Sequence, residues 1–445
     1  MSLAVCADVG STYTKVAVVD LAAGALVATA AHPTTVDTDV LDGLDAAVAA
    51  AGAPRDASTY VCSSAGGGLR LAVVGYERLV TAEAGYRVGL SAGARVVHVA
   101  AGPLDRHALA ALRADRPDVV LLVGGTDGGD AEVLAHNGRR LASARLRVPV
   151  VVAGNVQARD DVVAALDAAN VPVTATDNVL PRIGKLRPGP ARAAIREVFL
   201  RHVIGGKRLS RGPRFARLVR AATPDAVLTG VELFADTTGL DLAVVDVGGA
   251  TTDVYSVLAP GSEPETDVAG TLWRGRTVEG DLGLRWTAAG IVDAARAERL
   301  LAAGEEGPLR AAAAARAAEP GFLPERAEDR TVDLRLAALA ATVAVRRHAR
   351  GRRDLSTVRL LVGSGGVLRH GAGIDAGIGD GIGAGIGVGE DAVLAAVLGD
   401  VAGGWALPRD ADRVVDADYV LAPAGLLAGE YPGVASRLVG TLLRR

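Results

Sequence analysis

Along the chain, short apolar and β-branched runs, each closed by Gly or Asp, alternate with longer Ala/Leu/Arg segments of helical pattern. Residues 3–7, 16–19, 96–100, 119–123, 148–153, 242–247, 254–258 and 359–362 predict strands, and 40–51, 106–114, 160–169 and 334–350 predict helices. Strands alternating with helices predict α/β layers. Two places depart from the alternation. Strands 4–7 and 16–19, and again 243–247 and 254–257, are joined by short Gly/Thr turns with no helix between, which predicts two β-hairpins.

Three segments read differently. Residues 181–220 are basic and mostly helical, expected as a connector packed on the surface. Residues 298–319 are Ala/Arg-rich and helical, interrupted at Gly304-Glu305-Glu306-Gly307. Residues 371–389 set Ile374, Ile378, Ile382 and Ile386 at a period of four among nine glycines. At roughly 1 kcal/mol per Gly against Ala, that density predicts a flexible loop rather than a helix.

Composition narrows the function classes. With 445 residues, 50% hydrophobic and 22% charged, the chain has material for two or three domains. A net charge of -3 and only three Trp, seven Tyr and four Phe leave neither a basic face nor stacking platforms, so no nucleic acid is expected as partner. Lys15, Lys185 and Lys207 are the only lysines; the Arg excess, with abundant Ala, Val and Gly, reads as the codon bias of a GC-rich genome. Cys6 and Cys62 are too few for a disulfide framework and lack metal-ligand spacing. No apolar run approaches the ~20 residues of a membrane span. Met1-Ser2-Leu3-Ala4-Val5 leads into a strand without a signal-peptide pattern, so a soluble cytoplasmic protein without a membrane partner is expected.

The first hairpin reads Asp8-Val9-Gly10-Ser11-Thr12-Tyr13-Thr14-Lys15. A carboxylate ends a strand, Gly permits a tight turn, and hydroxyls with exposed N–H groups follow. That is the set needed to grip β- and γ-phosphates beside hydrated Mg2+, although an ordinary hairpin turn capped by Ser and Thr has the same grammar. Some 240 residues later the pattern recurs as Asp246-Val247-Gly248-Gly249-Ala250-Thr251-Thr252-Asp253. Two such loops in two halves predict a duplicated fold clamping one polyphosphate. A third piece, Leu361-Val362-Gly363-Ser364-Gly365-Gly366-Val367-Leu368, puts a strand before small residues that admit adenine or ribose against bare backbone.

These three elements, in this order, resemble the phosphate-1, phosphate-2 and adenosine motifs of the actin, sugar-kinase and heat-shock-chaperone ATPase superfamily. Within it the chain looks like the glutamate mutase accessory family called MutL or GlmL, distinct from the mismatch-repair protein of similar name. The closer match rests on Cys62-Ser63-Ser64-Ala65-Gly66-Gly67-Gly68-Leu69, Leu122-Val123-Gly124-Gly125-Thr126-Asp127-Gly128-Gly129, Val152-Ala153-Gly154-Asn155, Asp177-Asn178-Val179-Leu180-Pro181, Glu279-Gly280-Asp281-Leu282-Gly283 and Val345-Arg346-Arg347-His348.

The resemblance implies an α/β fold made of duplicated RNase-H-like halves around a nucleotide cleft, with an inserted α/β module. Residues 1–95 would begin half I, 96–180 form the inserted module, 181–235 a helical connector and 236–445 half II. It also implies an ATP- and Mg2+-dependent accessory or reactivating factor for the subunits of an adenosylcobalamin-dependent mutase. Such a factor is a slow ATPase at most and not the catalytic mutase. Asp8 and Asp246 would hold Mg2+ through water. Gly10, Ser11, Thr12, Thr14 and Lys15 would wrap one side of the phosphates, Gly248, Gly249, Thr251 and Thr252 the other, and Gly363, Ser364, Gly365 and Gly366 would line the adenosine pocket. A small-molecule kinase on the same fold, or a nucleotide-bound scaffold without turnover, are the alternatives.

Weaker signals carry less. Asp105-Arg106-His107-Ala108-Leu109-Ala110 nearly matches the D-x-H-x-x-G in which a mutase His ligates cobalt, but lacks its Gly, and His107 reads as part of a solvated helix face. Asp375-Ala376-Gly377-Ile378-Gly379 lies in the low-complexity tract, and Gly206-Lys207 is followed by Arg208, which excludes a P-loop. The Gly-rich stretch after Leu122 reads as a tight strand-to-helix connection, Ser63-Ser64 has no partnered His, and the Arg run from Arg346 to Arg353 reads as a solvated helix end.

Overall fold

The computed structural model describes residues 2–144, 146–204, 208–260, 268–269, 273–350, 354–369, 390–401 and 404–444. The glycine/isoleucine tract 371–389 lies outside them. The chain opens with β1 (Leu3–Val9), β2 (Tyr13–Asp20), β3 (Ala25–Pro33) and β4 (Ser58–Ser63). It continues with β5 (Leu69–Gly75), β6 (Ala94–Ala101), β7 (Val119–Leu122), β8 (Val150–Val152) and β9 (Val173–Ala175), returns in β10 (Val219–Ala222), and ends with β11 (Leu242–Val247), β12 (Thr252–Val257), β13 (Arg274–Glu279), β14 (Leu360–Ser364) and β15 (Asp412–Val415).

Two of the three sheets have one topology. The first runs β10-β4-β1-β2-β3 and the second β13-β12-β11-β14-β15. In each, the first three strands in sequence form an antiparallel meander and the last two join in parallel, the RNase-H-like arrangement. The duplication expected from the paired Asp-x-Gly hairpins is present strand for strand. Physical cause is visible in burial: β1 and β11 are central strands with both faces covered, hence their near-continuous apolar runs, whereas β3 lies at an edge and alternates exposed with half-buried positions.

The third sheet, β6-β5-β7-β8-β9, is parallel throughout and forms the inserted module. Its first strand is β5, so the division expected at residues 95/96 falls inside it. β5 follows β4 after only a short Gly turn, and the pattern at 69–75 carries no helix in front of it to mark a new unit. The connector also differs from expectation. Ile195, Phe199 and Phe215 are core residues rather than surface ones, and within 181–235 the chain forms β10, which completes the first sheet. Hydrophobic anchors spaced along a basic segment produce this: the Arg side chains reach outward while the rings pack inward.

Two helices join the halves. Thr223–Thr238, with Pro at its start and Gly239 left-handed at its end, follows β10; Leu421–Leu427 follows β15. They cross backbone to backbone, because a Cβ on Gly230 would stand 2.0 Å from the Leu421 carbonyl oxygen and one on Gly425 only 1.8 Å from that of Ala226. The contact is symmetric, as the duplication requires.

The helix Ala327–Arg350 runs through the core of half II, its Ala337, Ala340, Ala341 and Ala344 small enough to be covered on nearly all sides. Of the Arg-rich end expected to be solvated, Arg350 is exposed and residues 351–353 lie outside the described residues, but Arg346 and His348 are buried and Arg347 is half-buried. Arg346 is buried in a two-pronged ion pair with Asp400 and a bond to Glu298, Arg347 bridges Glu279 and Asp281, and His348 lies between Thr277 and Ser256. Among the described residues no helix is long and apolar enough to cross a membrane.

Candidate functional site

The two hairpin turns are superimposable in chemistry. Gly10 N–H donates to the Tyr13 carbonyl at 3.1 Å and Gly248 N–H to that of Thr251 at 2.9 Å. A Cβ would stand 2.7 Å from the first acceptor and 2.9 Å from the second, so both turns require glycine. The second turn is further fixed from outside: its Gly248 and Gly249 carbonyls accept from the N–H groups of Leu284, Arg285 and Trp286. Gly283 in that segment sits where a Cβ would be 2.3 Å from the Ala250 carbonyl carbon.

The turns meet. A Cβ on Gly249 would lie 3.4 Å from Thr12 Oγ1, and that hydroxyl is buried without a partner. Behind the turns the strand registers place Asp8 opposite Lys15 and Asp246 opposite Asp253. Asp8 accepts from the Tyr419 hydroxyl at 2.8 Å and from the Thr223 hydroxyl, with Lys15 Nζ 3.8 Å away. The Lys15 ammonium also lies 3.8 Å from the Tyr419 ring centroid, a cation–π contact. Burial, then the Asp8 charge, hold the Tyr419 hydroxyl well above its ordinary pKa, so it remains a donor. Tyr419 has φ +56°, a left-handed backbone that costs a bulky residue on the order of 1–2 kcal/mol.

Asp246 is half-buried, and no hydrogen-bond donor meets its carboxylate among the described residues. Burial pushes its pKa up to about 6, opposed by Lys15 and reinforced by Asp253, Asp8 and Asp416. Asp253 is already committed to Arg276 at 2.6 Å. Among the described residues no three His, Cys, Asp or Glu side chains converge as a metal site. A cation here would therefore meet two carboxylates, Asp8 and Asp246, and draw its other ligands from water or from its own phosphate partner.

The residues singled out in the sequence do not all face this place. Gly10, Thr12, Lys15, Gly248, Gly249 and Thr251 lie half-buried at the two turns, and Ser11 is exposed. Thr14 and Thr252 are corrections: both are fully buried, with hydroxyls spent on Thr34 Oγ1 and the Leu282 carbonyl. In a strand, neighbours alternate faces, and these two fall on the covered side. Gly363 looks into the core, where a Cβ would meet Leu368 and Leu394, and Ser364 is buried opposite Asp246 in the register. Gly365, at φ +110°, passes against the Val247 backbone, and only Gly366 is open. His107 is exposed on the helix Arg106–Ala114, as expected.

Sequence reasoning missed Thr223, Asp416 and Tyr419. Thr223 and Asp416 occupy matching places, each directly after the last strand of its sheet. Asp416 is buried, accepts from the Val420 and Leu421 N–H groups, and has its pKa raised by burial. The signal was the second half of the repeat, hidden because β10 and β15 are only four residues long. The Gly124–Gly129 loop, in contrast, is braced by the segments that follow β8 and β9. Asn155 Nδ2 donates to the carbonyls of Thr126, Gly129 and Asp130, and Asn178 Nδ2 to Gly125.

The profile of one protein family, described as MutL protein, matches residues 4–443. Protein MutL of Clostridium tetanomorphum is 33% identical over 468 aligned positions, covering 97% of each chain. Among solved structures, a glycerol dehydratase reactivase matches 96% of this chain and 99% of its own at 12% identity and TM-score 0.34. Component A of the (R)-2-hydroxyglutaryl-CoA dehydratase of Acidaminococcus fermentans matches 98% and 100% at 8% identity and TM-score 0.33.

Proposed function

The chain belongs to the MutL protein family, and on that premise we propose that it is an ATP-binding accessory and reactivating chaperone for an adenosylcobalamin-dependent mutase, with glutamate (methylaspartate) mutase as the implied client. The observation that carries nucleotide binding is the meeting of two glycine turns at Thr12 and Gly249, with Asp8 and Asp246 behind them. Backbone N–H groups of the turns and the Thr12 hydroxyl would receive phosphate oxygens, and Lys15 would add a positive charge. Magnesium held by Asp8 and Asp246 through water would neutralise charge on the β- and γ-phosphates. Gly366, the open one of the four residues 363–366, would border the adenosine.

Turnover is expected to be slow. Asp253 is held by Arg276, Asp8 by Tyr419 and Thr223, and Asp246 would be engaged with the magnesium, so none of the three is free to draw a proton from an attacking water. The work would lie in opening and closing. The contacts between the halves include the two crossed helices, Tyr419 on Asp8, Tyr60 on Glu430 and the two turns themselves, so a ligand gripping both turns would favour one relative setting of the halves. Coupling of this kind is typically worth about 1–3 kcal/mol, or about 5–150-fold in partner affinity.

Retention of purified mutase subunits on the immobilised chain, with and without Mg-ATP, tests this. The expected outcome is retention that differs severalfold between the two conditions. Equal retention in both overturns the coupling, and no retention in either overturns the client.

A further inference from the structure

The shared strand register lets the interiors of the two halves be compared position by position. In half II, Tyr255 on β12 pairs in register with Arg276 on β13, and the guanidinium lies 5.9 Å from the Tyr255 ring centroid while it binds Asp253. The same register in half I puts Ala17 where half II has Tyr255, Thr29 where it has Arg276, and Lys15 where it has Asp253. Small side chains thus stand where the other half keeps a ring and a guanidinium.

A cavity of about 240 Å3 occupies that place, between β2, β3 and the helix Leu421–Leu427. Its lining includes no residue from Gly10 to Thr14 or from Gly248 to Thr251 and not Asp246, so it lies beside the cleft, sharing Asp8, Lys15 and Tyr419 as a wall. One end gathers both cations of the lining, Lys15, which also lies 3.8 Å from Asp8, and Arg369. Lys15 and Arg369 both approach the Tyr419 ring, at 3.8 and 5.3 Å from its centroid. Apolar walls come from Ala17, Pro423 and Leu426, with Ala31 opposite Lys15 in the strand register. Of the two lining carboxylates, Asp8 already accepts from Tyr419 and Thr223, and Asp418 is itself partnered.

We propose that this cavity binds a small carboxylate with a flat or branched apolar body. Half II fills the equivalent space with a cation facing Asp253; half I has the opposite charge there, Lys15, shared with Asp8, and Arg369 across the Tyr419 ring, so the complementary filler is an anion placed between the two cations. The body would lie where half II keeps its Tyr255 ring. Size agrees, since an apolar cavity of about 150 Å3 holds benzene, and this one is larger. Lys15 would then serve both compartments, and the occupant would modulate its availability to the cleft. The inference does not depend on the nucleotide reading.

The test titrates benzoate and 3-methylbutanoate into the full chain without nucleotide, with benzamidine as the isosteric cation, following heat of binding and thermal unfolding. Saturable benzoate binding, at least tenfold tighter than benzamidine, is expected. Ala17→Tyr, which copies half II, should weaken benzoate at least tenfold without lowering the melting temperature. Should Ala17→Tyr fail to fold, Ala31→Val, which copies Val278 on β13, should still weaken benzoate severalfold. No binding of either acid, benzamidine binding as well as benzoate, or benzoate binding unchanged in both variants would overturn the proposal.

Discussion

Tyr419 donates its phenolic hydrogen to Asp8 across 2.8 Å, joining the first strand of half I to the turn after the last strand of half II. Asp8 is buried, and a lost donor leaves part of its charge unmet, which costs about 1–3 kcal/mol. Tyr419→Phe keeps the ring under Lys15 and removes only this bond. Urea unfolding should show a loss of that size, and Mg-nucleotide affinity should fall severalfold because Asp8 is no longer held in place. Unchanged values for both would mean that the bond positions nothing.

The crossing at Gly425 makes a second prediction. A Cβ there would meet the Ala226 oxygen at 1.8 Å and the Gly230 nitrogen at 3.0 Å, both backbone atoms that cannot swing away. Ala ordinarily gains about 1 kcal/mol over Gly inside a helix. Here the clash reverses the sign, and Gly425→Ala should lose ~3 kcal/mol, at the upper end of overpacking. Gly429→Ala, with nothing within 4 Å of its Cβ, is the control and should stay within about 0.5 kcal/mol.

Asp246 gives the pH dependence. Its pKa is raised by burial from 3.8 to about 6, so between those values the folded chain keeps a proton that the unfolded chain has released. The unfolded state then binds fewer protons, and stability falls as pH rises through this window. At pH 7 the buried charge costs at most about 3 kcal/mol, less for a half-buried group. Asp246→Asn should therefore be more stable than the parent at pH 7 and lose this part of the slope between pH 4 and 6, as followed by urea unfolding. A variant less stable at pH 7 would show that the charge is compensated.

The sequence was informative where chemistry and spacing coincide. The hairpins at Asp8 and Asp246 were legible because glycine turns, carboxylates and apolar strands repeat together, and they imply the duplicated fold that the sheets display. Weakly patterned strands were not legible. β3 is Ala-rich with half its positions exposed, and β10 and β15 are too short to show a period. Thr14 and Thr252 were misread because a motif gives residue types but not the strand face. Tyr419 could not be found because its partner, Asp8, lies at the other end of the chain.

Direct titration of Mg-ATP into the full chain, alongside Asp8→Asn and Asp246→Asn, tests nucleotide binding at the junction most directly. One saturable site is expected, weakened at least tenfold in each variant, with stabilisation of about 2.7 kcal/mol at 100 times the dissociation constant. No heat and no thermal shift with Mg-ATP, or equal binding by all three proteins, would contradict it.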